Sequence, residues 1–250
     1  MSLMYHDVSA DGTESEAAQV EDWYTVGAKI FSDHLDAVGA RLPPTLVTDR
    51  SSGDRVYITF DDGEESAASR SAPMLERRGW RGHFFVVSSL IDTDGYLTQD
   101  EVRALASSGH VIGSHSHTHP VMTKLGDSEL KDEWKTSREI LEEILDAPVV
   151  VASVPTGYYS DRIGRGAMEA GYRHLFTSEP WLKSRPLGQG TIYGRFIIRR
   201  ATSAATVGAL CAFSRSAVAR QWLEWEARKA LKLALGPVYE DVRRGIINRL

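Results

Sequence analysis

The feature that most constrains this chain is an alternation. Seven short runs of apolar, β-prone residues, LMYHDV, RVYITF, HFFVVSSL, HVIGSH, VVVASVP, HLFTSEP and RFIIRR, are bounded by turn residues. Between many of them lie longer polar stretches with helical spacing, SAASRSAPMLERRG, TQDEVRALASSG, DSELKDEWKTSREILEEIL and DRIGRGAMEAG. Strand followed by helix, repeated, builds a parallel sheet covered by helices, either open and doubly wound or closed as a barrel. The punctuation agrees. Thr98 stands three residues before Glu101 as a capping-box signal, and Gly79, Gly109 and Gly171 stand at helix exits.

Composition narrows the partners. With 29 basic against 34 acidic side chains and a net charge of −5, the chain offers no basic field for nucleic acid or an anionic membrane. No apolar run is long enough to span a bilayer, and the N-terminal residues lack the basic and apolar regions of an export signal, so a cytoplasmic protein is expected. The single cysteine, Cys211, lies in the apolar run VGALCAF and reads as a buried, inert thiol in a reducing compartment. From Ser216 onward the pattern is a long helix, broken near Gly236–Pro237, with Trp222, Trp225, Leu231 and Leu235 among its apolar positions. The chain therefore divides into residues 1–215 and a helical appendix, 216–250, that either packs on the first part or supports homo-oligomer formation.

Two clusters carry chemistry. The run VYITF ends in Asp61, Asp62 and Gly63, and ligand sites in parallel α/β folds lie at strand C-termini. Adjacent side chains on an extended segment point to opposite sides, so Asp61 and Asp62 are expected to do different work unless the chain turns, as Gly63 permits. The second cluster, GSHSHTHP, places three of the eight histidines in five residues after another strand. His115 and His119 have the spacing that puts two imidazoles on one helical face, whereas an extended segment would align His117 with both. Two histidines and a carboxylate, with open positions, form a catalytic zinc arrangement that also suits other divalent ions.

TFDDG followed by HSHTH resembles the polysaccharide deacetylases with a chitooligosaccharide deacetylase (NodB) homology domain, carbohydrate esterase family 4. The resemblance covers Val56 to Ser203, and LMYHDV looks like the first strand region of such proteins. It implies a distorted (β/α)7, TIM-like barrel, here with a C-terminal helical extension. It also implies Asp61 as catalytic base, Asp62, His115 and His119 as ligands of a divalent ion, zinc before cobalt, nickel or manganese, and Ser116 as a brace for the loop. The substrate implied is an N-acetylated, or O-acetylated, carbohydrate.

The chain departs from that family's pattern at two places. The motif Arg-x-Pro-x-Gly is matched by SVPTG, in which Pro155 and Gly157 fit but Ser153 replaces the arginine that pairs with the base. The main-chain amide of Thr156 can still serve as oxyanion donor, with Tyr158 beside it at the substrate. Asp61 is then expected to rely on the metal's field and on Arg199 or Arg200. TSEPW supplies Glu179 and Trp181, the latter a surface for a sugar ring. The histidine expected as general acid near the last strand is absent; FIIRRATS stands there, placing Arg199 or Arg200 near the position, with Arg199 also expected to contact substrate. Two other readings follow from these departures: an amidase acting on a non-sugar C–N bond, and a carbohydrate-binding relative with impaired catalysis.

Overall fold

The structure is a computed structural model that describes residues 1–10, 23–49 and 53–235, with side chains to residue 230. The expected strand segments all form. They are β1 (Ser2–Tyr5), β4 (Tyr57–Phe60), β5 (His83–Val86), β6 (Val111–Ser114), β7 (Val151–Ser153), β8 (His174–Phe176) and β11 (Phe196–Ile197). Four short strands carried too weak a pattern to be read: β2 (Val8–Ser9), β3 (Val26–Gly27), β9 (Arg185–Leu187) and β10 (Gly190–Tyr193). The helices are α1 (Ala28–Gly39), α2 (Ala72–Glu76), α3 (Gln99–Ser107), α4 (Asp127–Leu145), α5 (Asp161–Glu169), α6 (Ala204–Cys211) and α7 (Arg215–Leu235). Thr98 caps α3 in the expected reciprocal box with Glu101. The expected break at Gly236–Pro237 lies outside the described residues.

Nine strands form one sheet in the order β11-β1-β4-β5-β6-β7-β8-β10-β9. Every pairing in it is parallel except β9 with β10. The sheet curls into a half-barrel flanked by helices, as the alternation predicts. Its two ends are joined in an economical way: β10 pairs with β8 and the edge strand β9 at one end of the order, and β11 pairs with β1 at the other. Only Gly194 and Arg195 separate β10 from β11 in sequence, so the seam of the curl is crossed by two residues. A Cβ on Gly194 would lie 2.1 Å from the Trp181 ring and 2.5 Å from the Glu179 carbonyl oxygen, so glycine is what lets the chain cross there.

Pleating sorts the strand residues. Ile58, Phe60, Phe84 and Ala152 face the helices and join the main core. Tyr57, Phe85, Val151 and Phe176 form a second cluster on the inner face of the curl, with Tyr193 stacked on Phe176 at 4.9 Å between ring centroids. His83 belongs to this inner layer. Its Nδ1–H donates to the Ile58 carbonyl and its Nε2 accepts from the Val47 amide, so the neutral ring is fully satisfied. Burial pushes its pKa down to about 4.

A lowered folded-state pKa means that the stabilisation is complete above the unfolded value of 6.5 and is lost as pH falls toward 4. We expect His83 to account for a stability loss on the order of 3 kcal/mol between pH 7 and pH 4. Urea unfolding of wild type and His83→Gln at both pH values checks this. An equal pH dependence in the two proteins would assign the loss elsewhere.

The N-terminal half of α7 rests on the domain through Ala217 and Val218, and Gln221 donates to the Ile197 carbonyl. Trp222 and Leu223 face solvent, at 48% and 60% exposure. Cys211 is buried on α6, as expected, and burial raises its thiol pKa to about 11. Among the described residues no helix is long and apolar enough to cross a membrane.

Candidate active site

The inner face supplies the site directly. At the C-terminal end of the inner-face strands, Asp61 after β4, His115 after β6, Ser153 at the end of β7 and Arg195 at the seam are all buried. Asp62 has φ 72° and Gly63 φ 81°, so the chain turns left-handed immediately after Asp61. The turn resolves the expectation of divergent side chains: both aspartates sit against the same ring, Nε2 of His115 lying 3.4 Å from Asp62 Oδ1 and 3.8 Å from Asp61 Oδ2.

Backbone strain concentrates here. Seven non-glycine residues among the described ones have positive φ, and Asp62, Ser116, His119 and Thr156 are four of them. Such conformations survive where surrounding bonds fix them, and they gather at functional sites. The histidine loop is fixed in this way. Ser114 Oγ accepts the Ser116 amide and bonds Ser137 on α4, and Ser116 Oγ accepts the His119 amide. The loop is therefore neither helical nor extended; it reverses at Ser116 and again at His119. His117 points away and bonds Ser88 Oγ through Nδ1. Glu133, which no local pattern marks, accepts the amides of His117 and Thr118 at 2.9 Å each and the Thr118 hydroxyl at 2.6 Å.

Asp62, His115 and His119 offer ligand atoms that all lie within 4.8 Å of one another. Both imidazole Nε2 atoms are 3.4 Å from Asp62 Oδ1. A tetrahedral ion with bonds near 2.1 Å separates its ligands by about 3.4 Å, so the cluster fits a divalent metal. Its outer support fits as well. With Nε2 turned to the ligand cluster, Nδ1 of His115 carries the proton and donates to Ser153 Oγ at 2.5 Å, near the Ser153 carbonyl at 3.2 Å. Electrostatics hold the ligand carboxylate ionised: burial opposes it, but hydrogen bonding to His115 and the charges of His6, His115 and His119 keep the Asp62 carboxyl well below the usual range. His119 is held below its normal pKa by burial and by His115.

Asp61 has a different environment. Arg195 meets it with a two-pronged pair, Nη1 to Oδ1 at 2.6 Å and Nη2 to Oδ2 at 2.8 Å. Ser153 Oγ donates to Oδ1 at 3.3 Å. Arg195 also donates Nε to the Thr177 carbonyl and Nη1 to Thr59 Oγ1, and its guanidinium lies over Phe85. Burial raises the Asp61 pKa, yet Arg195 and His115 outweigh it and hold the carboxyl below its ordinary value.

The counter-ion of Asp61 is thus Arg195, which corrects the expectation of Arg199 or Arg200. Arg199 turns to α7, with Nη1 3.6 Å from Glu224 and with Nε and Nη2 buried without partners among the described residues. The amide of Arg200 bonds the Trp23 carbonyl. The signal for Arg195 was present in TIYGRF, where period two carries Tyr193 and then Arg195 to the inner face.

A second overlooked residue is His6. In register with β4, Tyr5 lies beside Phe60, which puts His6 beside Asp61; continuing the β1–β11 register from Met4 and Ile197 puts it beside Arg199. Its ring packs on Tyr24 at 4.6 Å, and its buried Nδ1 has no hydrogen-bond partner among the described residues. Burial lowers its pKa, and the charges that bear on it are Asp62, Asp61, Arg195 and His115.

The remaining expected residues surround this centre. Thr156, with φ 62°, follows buried Pro155 after β7, and Gly157 and half-buried Tyr158 come next. Trp181 packs against Gly194 at the seam and under Arg185 at 5.5 Å, its Nε1 buried without a partner.

Outer contacts of a metal ligand are expected to matter here as they do in metal sites generally. Glu133→Ala removes three anchors of the histidine loop, and we expect zinc affinity to fall about 10- to 100-fold. Competition with a chromogenic chelator measures this; unchanged affinity would mean the loop is held by the serines alone.

Residues 48–175 match the family model described as polysaccharide deacetylase. The Bacillus subtilis protein YxkH is 26% identical over 201 residues, 76% of this chain and 68% of that protein. The peptidoglycan-N-acetylglucosamine deacetylase of Bacillus cereus is 26% identical over 124 residues, 49% of this chain and 56% of the enzyme, so the chain spans about half of that relative's length. Among solved structures, a polysaccharide deacetylase from Bacillus cereus superposes with a TM-score of 0.69 at 20% identity, covering 83% of this chain and 68% of that one.

Proposed function

The chain belongs to the polysaccharide deacetylase family, and from that premise we propose that it is a metal-dependent hydrolase removing acetyl groups from an N-acetylated carbohydrate. One observation carries the proposal: a carboxylate that the metal cluster does not need, Asp61, is held beside that cluster by a buried arginine. Holding an ion requires only Asp62, His115 and His119. A binding protein would gain nothing from burying Arg195 against a further aspartate.

Asp62, His115 and His119 would hold a divalent ion, zinc being favoured by two imidazoles and one carboxylate, and the chemistry it would supply there is that of a Lewis acid. The protein's own groups do the rest. Both lone pairs of Asp61 Oδ1 are engaged by Arg195 and Ser153, while Oδ2 accepts only from Arg195, so Oδ2 keeps the lone pair that takes a proton. It is also the oxygen nearer His115 Nε2. Ser153 therefore has a double function in this reading, donating to the base and receiving from the ligand histidine. The amide of Thr156 stands as the oxyanion donor, and Trp181 with Tyr158 as the sugar-facing aromatics.

His6 answers the absence of a histidine after the last strand. What supports this reading is that β1 lies between β4 and β11, so a histidine at its end falls in register beside Asp61 and Arg199. It carries the proton that the leaving amine takes.

The test is acetate release from N-acetylated oligosaccharides, nucleotide sugars, acetyl esters and simple amides by protein of known metal content, with and without added zinc or cobalt. Metal-dependent release from an acetylated sugar is expected, and the preferred member of the panel identifies the substrate. Release confined to non-sugar amides would replace the sugar in this reading, and no release from metal-loaded protein would overturn it.

A further inference from the structure

Two aspartates adjoin in sequence, and both reach the nitrogen that faces the proposed metal. Asp61 Oδ2 lies only 0.4 Å farther from His115 Nε2 than Asp62 Oδ1 does, 3.8 against 3.4 Å. A buried, ionised carboxylate this close to a dication is by default a ligand. We infer that Arg195 is the residue that divides the labour: it keeps Asp61 out of the metal's coordination sphere and so leaves it free to act as a base.

The geometry supplies the means. A guanidinium binds a carboxylate through both oxygens in one plane, which fixes the carboxylate's rotation as well as its charge. Arg195 holds both oxygens of Asp61, and Ser153 holds Oδ1 from the other side. The arginine in turn cannot swing. Its Nε is spent on the Thr177 carbonyl after β8, Nη1 is shared with Thr59 on β4, and its main-chain amide donates to Glu179. It is completely buried. Among the described residues no equivalent clamp acts on Asp62, whose Oδ1 is left to the two histidines.

Arg195 is therefore a positioning residue, and its place at the seam has a consequence. The residue that selects the base belongs to the two-residue crossing that joins the sheet's two ends, so the curl of the sheet and the selection of the base are set by the same link.

The inference rests on the proposed metal site, and the experiment separates the two. Cobalt(II) is added to the full chain and its visible d–d bands are recorded for wild type, Arg195→Met and Arg195→Met/Asp61→Asn. In Arg195→Met, Asp61 is expected to enter the coordination sphere: the bands shift and zinc binds more tightly, about tenfold. Turnover falls about 100-fold, because the base is consumed as a ligand, while KM changes less than threefold. In the double variant the wild-type bands return.

Arg195→Lys keeps the charge and most of the volume but lacks the fork, and it should give a mixture of both spectra. Should the methionine variant fail to fold, the lysine variant decides. Wild-type bands in either folded variant would overturn the inference while leaving the metal site standing. Failure of the wild type to bind cobalt or zinc would remove both.

Discussion

Asp61→Asn is expected to bind as much zinc as wild type and to turn over 10²- to 10⁴-fold more slowly, the range typical for loss of a general base. Asparagine is nearly the same size and still offers one oxygen to the Arg195 fork. What it cannot do is accept a proton through Oδ2, the position left open by Arg195 and Ser153. The same change leaves a buried guanidinium without its counter-charge, so stability should fall as well, on the order of 3 kcal/mol, as when one partner of a buried ion pair is removed. Metal content, kcat and a denaturant midpoint on one preparation separate the effects. Loss of metal would move Asp61 into the ligand set, and unchanged turnover would remove it from the mechanism.

How far the sequence carried this reading depended on the range of the interaction. The strands were legible because alternation and turn residues are local, and so was the capping box at Thr98. The two aspartates and the histidine pair were legible because each group lies within a few residues on one loop. Arg195 and His6 were not. Each is a single residue whose partner is far along the chain, and each becomes adjacent to Asp61 only through strand order, with β1 between β11 and β4 and the chain crossing from β10 to β11 over two residues.

The short strands were missed for a related reason. β9 and β10 contain Pro186, Gly188 and Gly190, which read as loop, and they hold together through hairpin pairing and contact with β8 that no local pattern records. The same limit explains the misplaced arginine. FIIRRATS contains two arginines, whereas Arg195 stands just before that strand, where inner-face alternation with Tyr193 is the only local signal.

The role proposed for His6 has a consequence that distinguishes it from every structural role. A proton donor matters in proportion to how poor the leaving group is. An amine leaving from a tetrahedral adduct must be protonated, whereas an aryl oxide departs without help. In His6→Gln, therefore, kcat on an N-acetylated sugar should fall about 10²- to 10⁴-fold, while hydrolysis of an aryl acetate by the same protein should change less than about threefold. Zinc content should be unaffected, because His6 lies outside the cluster formed by Asp62, His115 and His119.

The environment of His6 is unusual. Buried polar atoms are almost always hydrogen-bonded, and an exception asks for an explanation. Among the described residues the buried Nδ1 of His6 has no partner, and the ring lies in register with the proposed base and packs on Tyr24 at a tilt. Equal losses on the sugar and the aryl ester would assign His6 to packing against Tyr24, and retention of full activity on the sugar would send the search for the acid to another group.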